Sequence, residues 1–150
     1  MTAPVLRRDL GTLFSVTLAN AIASLGYSNS ADKLTIDNTS NLALLADFEL
    51  QFSWGTGLAP VAGAVQLIAV DYGVLGAVST PSAPSASLLG RVEGTFSPQY
   101  ASGNAVIAAV LTLNSVSVKR KTDYYLYNNA TGQSIPIGAV LKAQCWSPGT

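Results

Sequence analysis

Few side chains in this sequence could carry out chemistry, and the absent types narrow the possibilities further. Histidine does not occur, which removes the commonest general base and the usual ligand of zinc. Cys145 is the only cysteine, so neither a Cys-His pair, a Ser-His-Asp triad nor an intrachain disulfide can form. The sequence therefore predicts no catalytic residue of these kinds.

Two carboxylates, Asp47 and Glu49, are the remaining candidates for acid-base catalysis. A carboxylate pair can hydrolyse a glycosidic bond, but these two share one face of a predicted strand with Gln51 and Ser53. We interpret that face as solvated or subunit-facing. Residues 37–41, DNTSN, begin like a calcium loop but lack its glycine and its closing glutamate. We therefore predict no enzyme, no metal and no cofactor.

Residues 123–132, DYYLYNNATG, combine three tyrosines with the glycosylation pattern Asn-x-Thr at Asn129. A second match begins at Asn38. The N-terminal residues contain no apolar stretch typical of a signal peptide, so we expect synthesis in a reducing cytoplasm, where neither match would be used. We interpret residues 128–132 as a turn between a tyrosine-rich strand and a strand that begins near Ile135.

The distribution of charged residues argues against binding to nucleic acid or to a membrane. Eight basic and eight acidic residues give no net charge, and Lys119-Arg120-Lys121 is the one basic cluster. We predict that this cluster faces an acidic protein surface, with no binding to nucleic acid or to a membrane. No run of 18 apolar residues occurs either.

The elements that position these residues are predicted to be strands. Apolar and polar residues alternate with period 2 over residues 44–54, which is typical of a strand with one wet face. Residues 14–18 and 92–96 alternate in the same way, so three strands of this kind are predicted. Three segments are apolar on both faces: 65–70, 105–113, and more weakly 135–143. A short helix is possible only at residues 19–25.

Turn-forming residues separate seven or eight such strands, and the chain has the length of one domain. We predict an all-β fold, a single antiparallel β-sandwich of jelly-roll type over residues 11–150, preceded by an extended N-terminal arm at residues 1–10. Residues 73–90 form a long loop of small residues. The predicted core contains Phe14, Val16, Phe48, Leu50, Phe52, Val92 and Phe96.

Two stretches, YYLYNNATGQ at 124–133 and IDNTSNL at 36–42, resemble small virion structural proteins of tailed bacteriophages. In those proteins a strand leads into an Asn-x-Thr-Gly-Gln turn and a further apolar strand. The resemblance implies a jelly-roll-like decoration or cement protein on the capsid surface of the virion, made in the host cytoplasm. Its implied partners are the major capsid protein and, in a homotrimer, other copies of itself.

The arm provides the expected contact with the capsid. Val5, Leu6 and Leu10 offer apolar groups, while Arg7 and Arg8 could each form two parallel bonds with a carboxylate. A second hypothesis stays open from the sequence. Sandwiches with exposed Trp and Tyr commonly bind sugars, so the chain could instead be a carbohydrate- or receptor-binding module of a phage tail or baseplate.

Overall fold

The computed structural model describes residues 8–40, 42–54, 62–72, 82–85, 90–97 and 107–149. These ranges contain eight strands and no helix: β1 (Arg8–Thr17), β2 (Leu34–Asp37), β3 (Leu45–Trp54), β4 (Ala64–Asp71), β5 (Arg91–Phe96), β6 (Ile107–Ser117), β7 (Lys121–Asn129) and β8 (Val140–Pro148). Consequently, no segment in the described ranges is a helix long and apolar enough to cross a membrane.

The strands form two antiparallel sheets, ordered β1-β8-β3-β6 and β2-β7-β4-β5. Within them β1 pairs with β8, β2 with β7, β3 with β6, and β4 with β5. This nesting arises when one long hairpin is rolled into two layers, which is the jelly-roll wrap. The predicted all-β sandwich is confirmed, as is its jelly-roll character.

The core between the sheets follows the period-2 alternation of the strands. Most of the predicted core residues are confirmed there: Phe48, Leu50, Phe52 and Phe96 are buried, and Phe14 and Val16 are partly buried against them. Val92 is the exception and is 50% exposed. Leu67 pairs with Gly94 but Ile68 pairs with Val92, so β5 advances two residues where β4 advances one. This bulge turns Val92 outward.

The prediction of a strand at residues 105–113 is confirmed by β6, but the possible helix at 19–25 is not found. That segment instead runs alongside β7. The N–H of Leu25 donates to the carbonyl of Asn128 at 2.7 Å, and the N–H of Ser28 to that of Leu126 at 2.8 Å. Pairing with an existing strand satisfies these backbone groups, which a short, weakly patterned helix could not do as well.

Two other boundaries differ from the prediction. The last strand starts at Val140, because Pro136 lacks an N–H and Gly138 has φ of 85°; Ile135 forms only an isolated bridge with Ile22. The short strand β2 was not predicted.

The N-terminal boundary also moves. Residues 8–10, assigned from sequence to the arm, belong to β1 and pair with residues 146–148 of β8. Strand β1 therefore begins three residues before the predicted domain boundary. Residues 1–7 lie outside the described residues, as does most of the predicted loop at 73–90.

Candidate functional site

The polar side of the sheet β1-β8-β3-β6 carries the carboxylates singled out from the sequence. Alternation places every second residue of each strand away from the core. We call this surface the outer face; its residues are Leu10, Leu13, Ser15, Thr17, Asp47, Glu49, Gln51, Ser53, Val110, Thr112, Asn114, Val140, Lys142 and Gln144. One row across it joins Ser15, Lys142, Glu49 and Thr112.

A depression of about 170 Å³ lies in the outer face. It is lined by Leu13, Asp47, Phe48, Glu49, Thr112, Asn114, Lys142 and Gln144. Pockets that enclose small molecules usually measure about 300–1,000 Å³. This depression is therefore better suited to receive a side chain of a partner protein than to enclose a substrate.

The two carboxylates in the depression are both engaged within the protein. Asp47 Oδ1 accepts a hydrogen bond of 2.8 Å from the backbone N–H of Ser115. Glu49 accepts one from the side-chain amide of Gln51, and the ammonium of Lys142 lies 3.8 Å from its Oε1. These contacts support the structural interpretation of the pair, in which the carboxylates fix the surface and leave it weakly acidic.

A bulge in β6 explains the contact of Asp47. Ala46 pairs with Val116 and Phe48 with Leu113, so two residues of β6, Asn114 and Ser115, stand opposite the single residue Asp47. Ser115 has φ of 59°, a left-handed conformation that is uncommon for serine. Its N–H is turned toward the carboxylate, which compensates for the broken ladder.

A second bulge, in β1, brings two leucines onto the outer face. Leu10 pairs with Trp146 and Leu13 with Gln144, so Gly11 and Thr12 share one position of β8. In a regular strand, residues three apart point to opposite faces. The bulge instead places Leu10 and Leu13 on the same side, where they are 71% and 60% exposed. Period-2 alternation alone could not have predicted this pair.

The partner-binding residues predicted from the sequence can now be located in part. Leu10 is on the outer face, and Arg8 begins β1 opposite Pro148. Val5, Leu6 and Arg7 lie outside the described residues. Leu13, which is not in the predicted set, is exposed on the same face as Leu10.

A buried ionic cluster lies in the other sheet, and sequence reasoning missed it. The carboxylate of Asp123, fully buried, accepts hydrogen bonds from Lys33 Nζ at 2.7 Å, Thr35 Oγ1 at 2.7 Å and the hydroxyl of Tyr72 at 3.0 Å. The hydrogen bond with Asp123 raises the pKa of Lys33. The stabilising contribution of a base with a raised pKa is lost only as the pH rises above the ordinary lysine pKa, near 10.4, so Lys33 keeps its contribution at neutral pH.

Residues 128–132 form a turn after the tyrosine-rich strand β7, as predicted. The side-chain amide of Asn128 donates to the carbonyls of Ile22 and Gln133, at 3.0 and 2.7 Å, and the buried hydroxyl of Thr131 donates to Asn128 Oδ1 at 2.6 Å. Positive φ occurs in this turn at Ala130 and Gly132. Because Thr131 is buried, the acceptor pattern at Asn129 is not presented as an open surface loop.

The other glycosylation match is also structural. Asn38 is buried, and its side-chain amide exchanges hydrogen bonds of 2.7 and 2.8 Å with the backbone of Ala43. It holds the turn between β2 and β3 closed. Cys145 is buried as well, and burial raises the pKa of its thiol to about 11, which leaves it in the unreactive protonated form at neutral pH.

The tyrosines do not form a platform for a sugar or a nucleobase. Tyr124 points into the core against Phe48, with ring centroids 4.7 Å apart, and Tyr127 stacks on Tyr27 at 4.4 Å. Tyr125 is buried on the opposite face of β7 from Tyr124. Throughout the described ranges, every aromatic side chain is buried or half-buried.

Acidic groups of the same protein balance the basic cluster at residues 119–121. Lys119 pairs with Asp71, and Lys121 lies 3.6 Å from Asp37 Oδ2 and 4.8 Å from the centre of the Tyr72 ring. The cluster therefore belongs largely to the surface ion pairs of this sheet. No group of three or more acidic, cysteine or histidine side chains that could hold a metal ion occurs among the described residues.

No family model matches the sequence, and no curated protein is significantly similar to it. Function must therefore be inferred from the fold and from the surface residues.

Proposed function

We propose that this chain is a non-enzymatic structural protein of a phage virion, which binds the outer surface of the capsid and stabilises it by bridging subunits. The observation that carries the proposal is the pair Leu10 and Leu13, exposed side by side on the outer face where the predicted arm joins β1. The bulge turns both leucines to the same side of β1, and apolar side chains that are exposed together often mark an interface with another protein.

The surroundings of the leucines fit a protein partner. The neighbouring depression offers Asp47, Glu49 and Lys142, together with amide and hydroxyl groups. An apolar centre with a polar rim is the usual composition of a specific protein interface. The carboxylates can accept an arginine or lysine from the capsid, while Arg7 of the arm and Arg8 at the start of β1 can bind acidic groups of the capsid in return.

The fold agrees with this proposal but does not carry it. Jelly rolls serve in viral capsid proteins and also in lectins. The aromatic side chains of the described residues are buried or half-buried. This favours a role in a virion over sugar binding, because stacking on a sugar ring needs an accessible aromatic face. We propose the major capsid protein as the partner and expect the bound form to be a homo-oligomer.

Replacing both leucines by serine is expected to weaken binding to assembled capsids at least tenfold, or by about 1.4 kcal/mol. The side chains are exposed, so the folded protein itself should keep its stability within about 0.5 kcal/mol. Ile137→Ser is the matched control, because Ile137 is 67% exposed, as the leucines are, but lies away from them. Ile137 precedes the start of β8, whereas Leu10 pairs with Trp146 near the other end of that strand. Cosedimentation of each variant with empty capsids measures the effect.

Deletion of residues 2–7 tests the arm separately and leaves β1 intact. We expect a loss of capsid affinity of similar size with an unchanged circular dichroism spectrum. If the serine variant and the truncated protein both bind capsids as the parent does, neither the leucines nor the arm form the interface. If the parent protein binds a glycan array and not capsids, the proposed function is wrong.

A further inference from the structure

The four edge strands of the two sheets differ in how well they resist pairing with another chain. An edge strand exposes unpaired backbone N–H and C=O groups, and proteins protect such edges with short strands, charges or bulges. The edges here are β1 and β6 in one sheet and β2 and β5 in the other. Three of them carry such protection.

Strand β2 has only four residues and ends in the charged Asp37. Strand β5 has six, among them Arg91 and Glu93, and is bulged. Strand β1 starts with a charged pair at residues 8–9 and is bulged at 11–12. A charged residue or a bulge in each of these edge strands therefore opposes pairing with a strand of another chain.

Strand β6 lacks these protections over most of its length. Its eleven residues, IAAVLTLNSVS, include no charged residue and no proline. The bulge at Asn114 and Ser115 is close to its C-terminal end, so residues 107–113 pair with β3 in unbroken register. Among the described strands, none pairs with β6 on the side away from β3.

We propose that the β6 edge is an interface between two copies of this chain, which pair β6 to β6 in antiparallel orientation across a two-fold axis. The backbone groups of β6 that pair with no described strand can bind an extended strand of another chain. A strand without charge meets its own copy without repulsion, which the other three edges would not allow as readily. The resulting sheet would have eight strands, all antiparallel.

The side chains of β6 suit this pairing. Val110 is 61% exposed and Thr112 is also exposed. In an antiparallel pair they meet Val110 and Thr112 of the second copy on the outer face. Cross-strand pairs of β-branched residues stabilise a sheet by about 0.2–1 kcal/mol each, and pairing also covers the exposed valine. A two-fold axis makes every such contact occur twice.

This inference goes beyond the proposed function and does not depend on capsid binding. It also distinguishes a dimer from the trimer implied by the phage resemblance. A closed trimer through β6 would need a heterologous contact with one of the three protected edges, whereas β6 against itself closes a pair.

Two double variants of opposite charge test the interface, Val110→Lys with Thr112→Lys and Val110→Glu with Thr112→Glu. Sedimentation equilibrium of the parent protein should show a monomer–dimer equilibrium. Each double variant should dimerise at least tenfold more weakly, because like charges then face each other across the axis. An equimolar mixture of the two variants should recover the association, whichever residue lies on the axis.

The matched control is Ser15→Lys with Thr17→Lys, at exposed positions of β1 on the same face. It should dimerise as the parent does. If the double variants do not fold, Thr112→Lys alone provides the same comparison. A parent protein that is only monomeric or trimeric at high concentration would overturn the proposal, as would double variants that dimerise normally or a mixture that does not recover. Capsid binding, measured separately, can succeed or fail independently of these results.

Discussion

Replacing Phe48 by alanine is expected to lower the free energy of unfolding by about 3–5 kcal/mol. Phe48 is 1% exposed on β3, which pairs with both β6 and β8, and its ring packs against that of Tyr124 in the opposite sheet. Truncation removes the contact between the layers and leaves a cavity that the two sheets cannot close without shifting. Since the free energy of unfolding of a domain is about 5–15 kcal/mol, this single change would remove a large part of the stability of the protein.

Urea denaturation, followed by tryptophan fluorescence, measures this loss. Val92→Ala is the control, because sequence alternation predicts Val92 in the same core whereas the structure exposes it. We expect its substitution to change stability by no more than about 0.5 kcal/mol. Equal losses for the two variants would mean that the bulge in β5 is absent in solution and that Val92 is buried after all.

Replacing Asp123 by alanine should cost about 3 kcal/mol, near the lower end of the range for breaking a buried ion pair. The carboxylate is fully buried and accepts three hydrogen bonds, so its removal leaves Tyr72 and Thr35 without their acceptor. Lys33 softens the loss, because its side chain is 21% exposed and can turn toward water. The same denaturation experiment measures the change.

The control for Asp123 is Asp37→Ala. Asp37 belongs to β2, faces Lys121 in the same ladder and is 48% exposed. Exposed pairs of this kind contribute about 0–1 kcal/mol, so the substitution should have a small effect. If Asp123→Ala lowers the free energy of unfolding no more than Asp37→Ala does, the buried cluster around Asp123 does not stabilise the fold as proposed.

The strands were largely predictable because alternation is a local property. Residues 44–54 alternate apolar and polar side chains so regularly that only a strand accounts for them, and β3 occupies nearly the same range. The bulges were not predictable. Each adds one residue to one strand, which changes the direction of every side chain beyond it; Val92 and Leu10 are the two residues for which this matters most.

The long-range contacts were also beyond prediction. The hydrogen-bond partners of Asp123 are far from it in the sequence. Lys33 precedes it by 90 positions, Thr35 by 88 and Tyr72 by 51. Nothing in the local pattern around Asp123 marks it as buried, since a charged residue between Thr122 and Tyr124 normally indicates the solvated face of a strand. By contrast, the turn at residues 128–132 contains a local hydrogen bond between Thr131 and Asn128 and was predicted correctly.

The central claim, that this chain binds a capsid and stabilises it, is tested most directly by heating empty capsids with and without the purified protein. Their disruption can be followed by light scattering, and the bound copies can be counted on recovered particles. The proposed function predicts saturable binding at a fixed number of copies per capsid and a higher disruption temperature at saturation. Capsids that bind no protein, or that bind it to saturation and fall apart at an unchanged temperature, would contradict it.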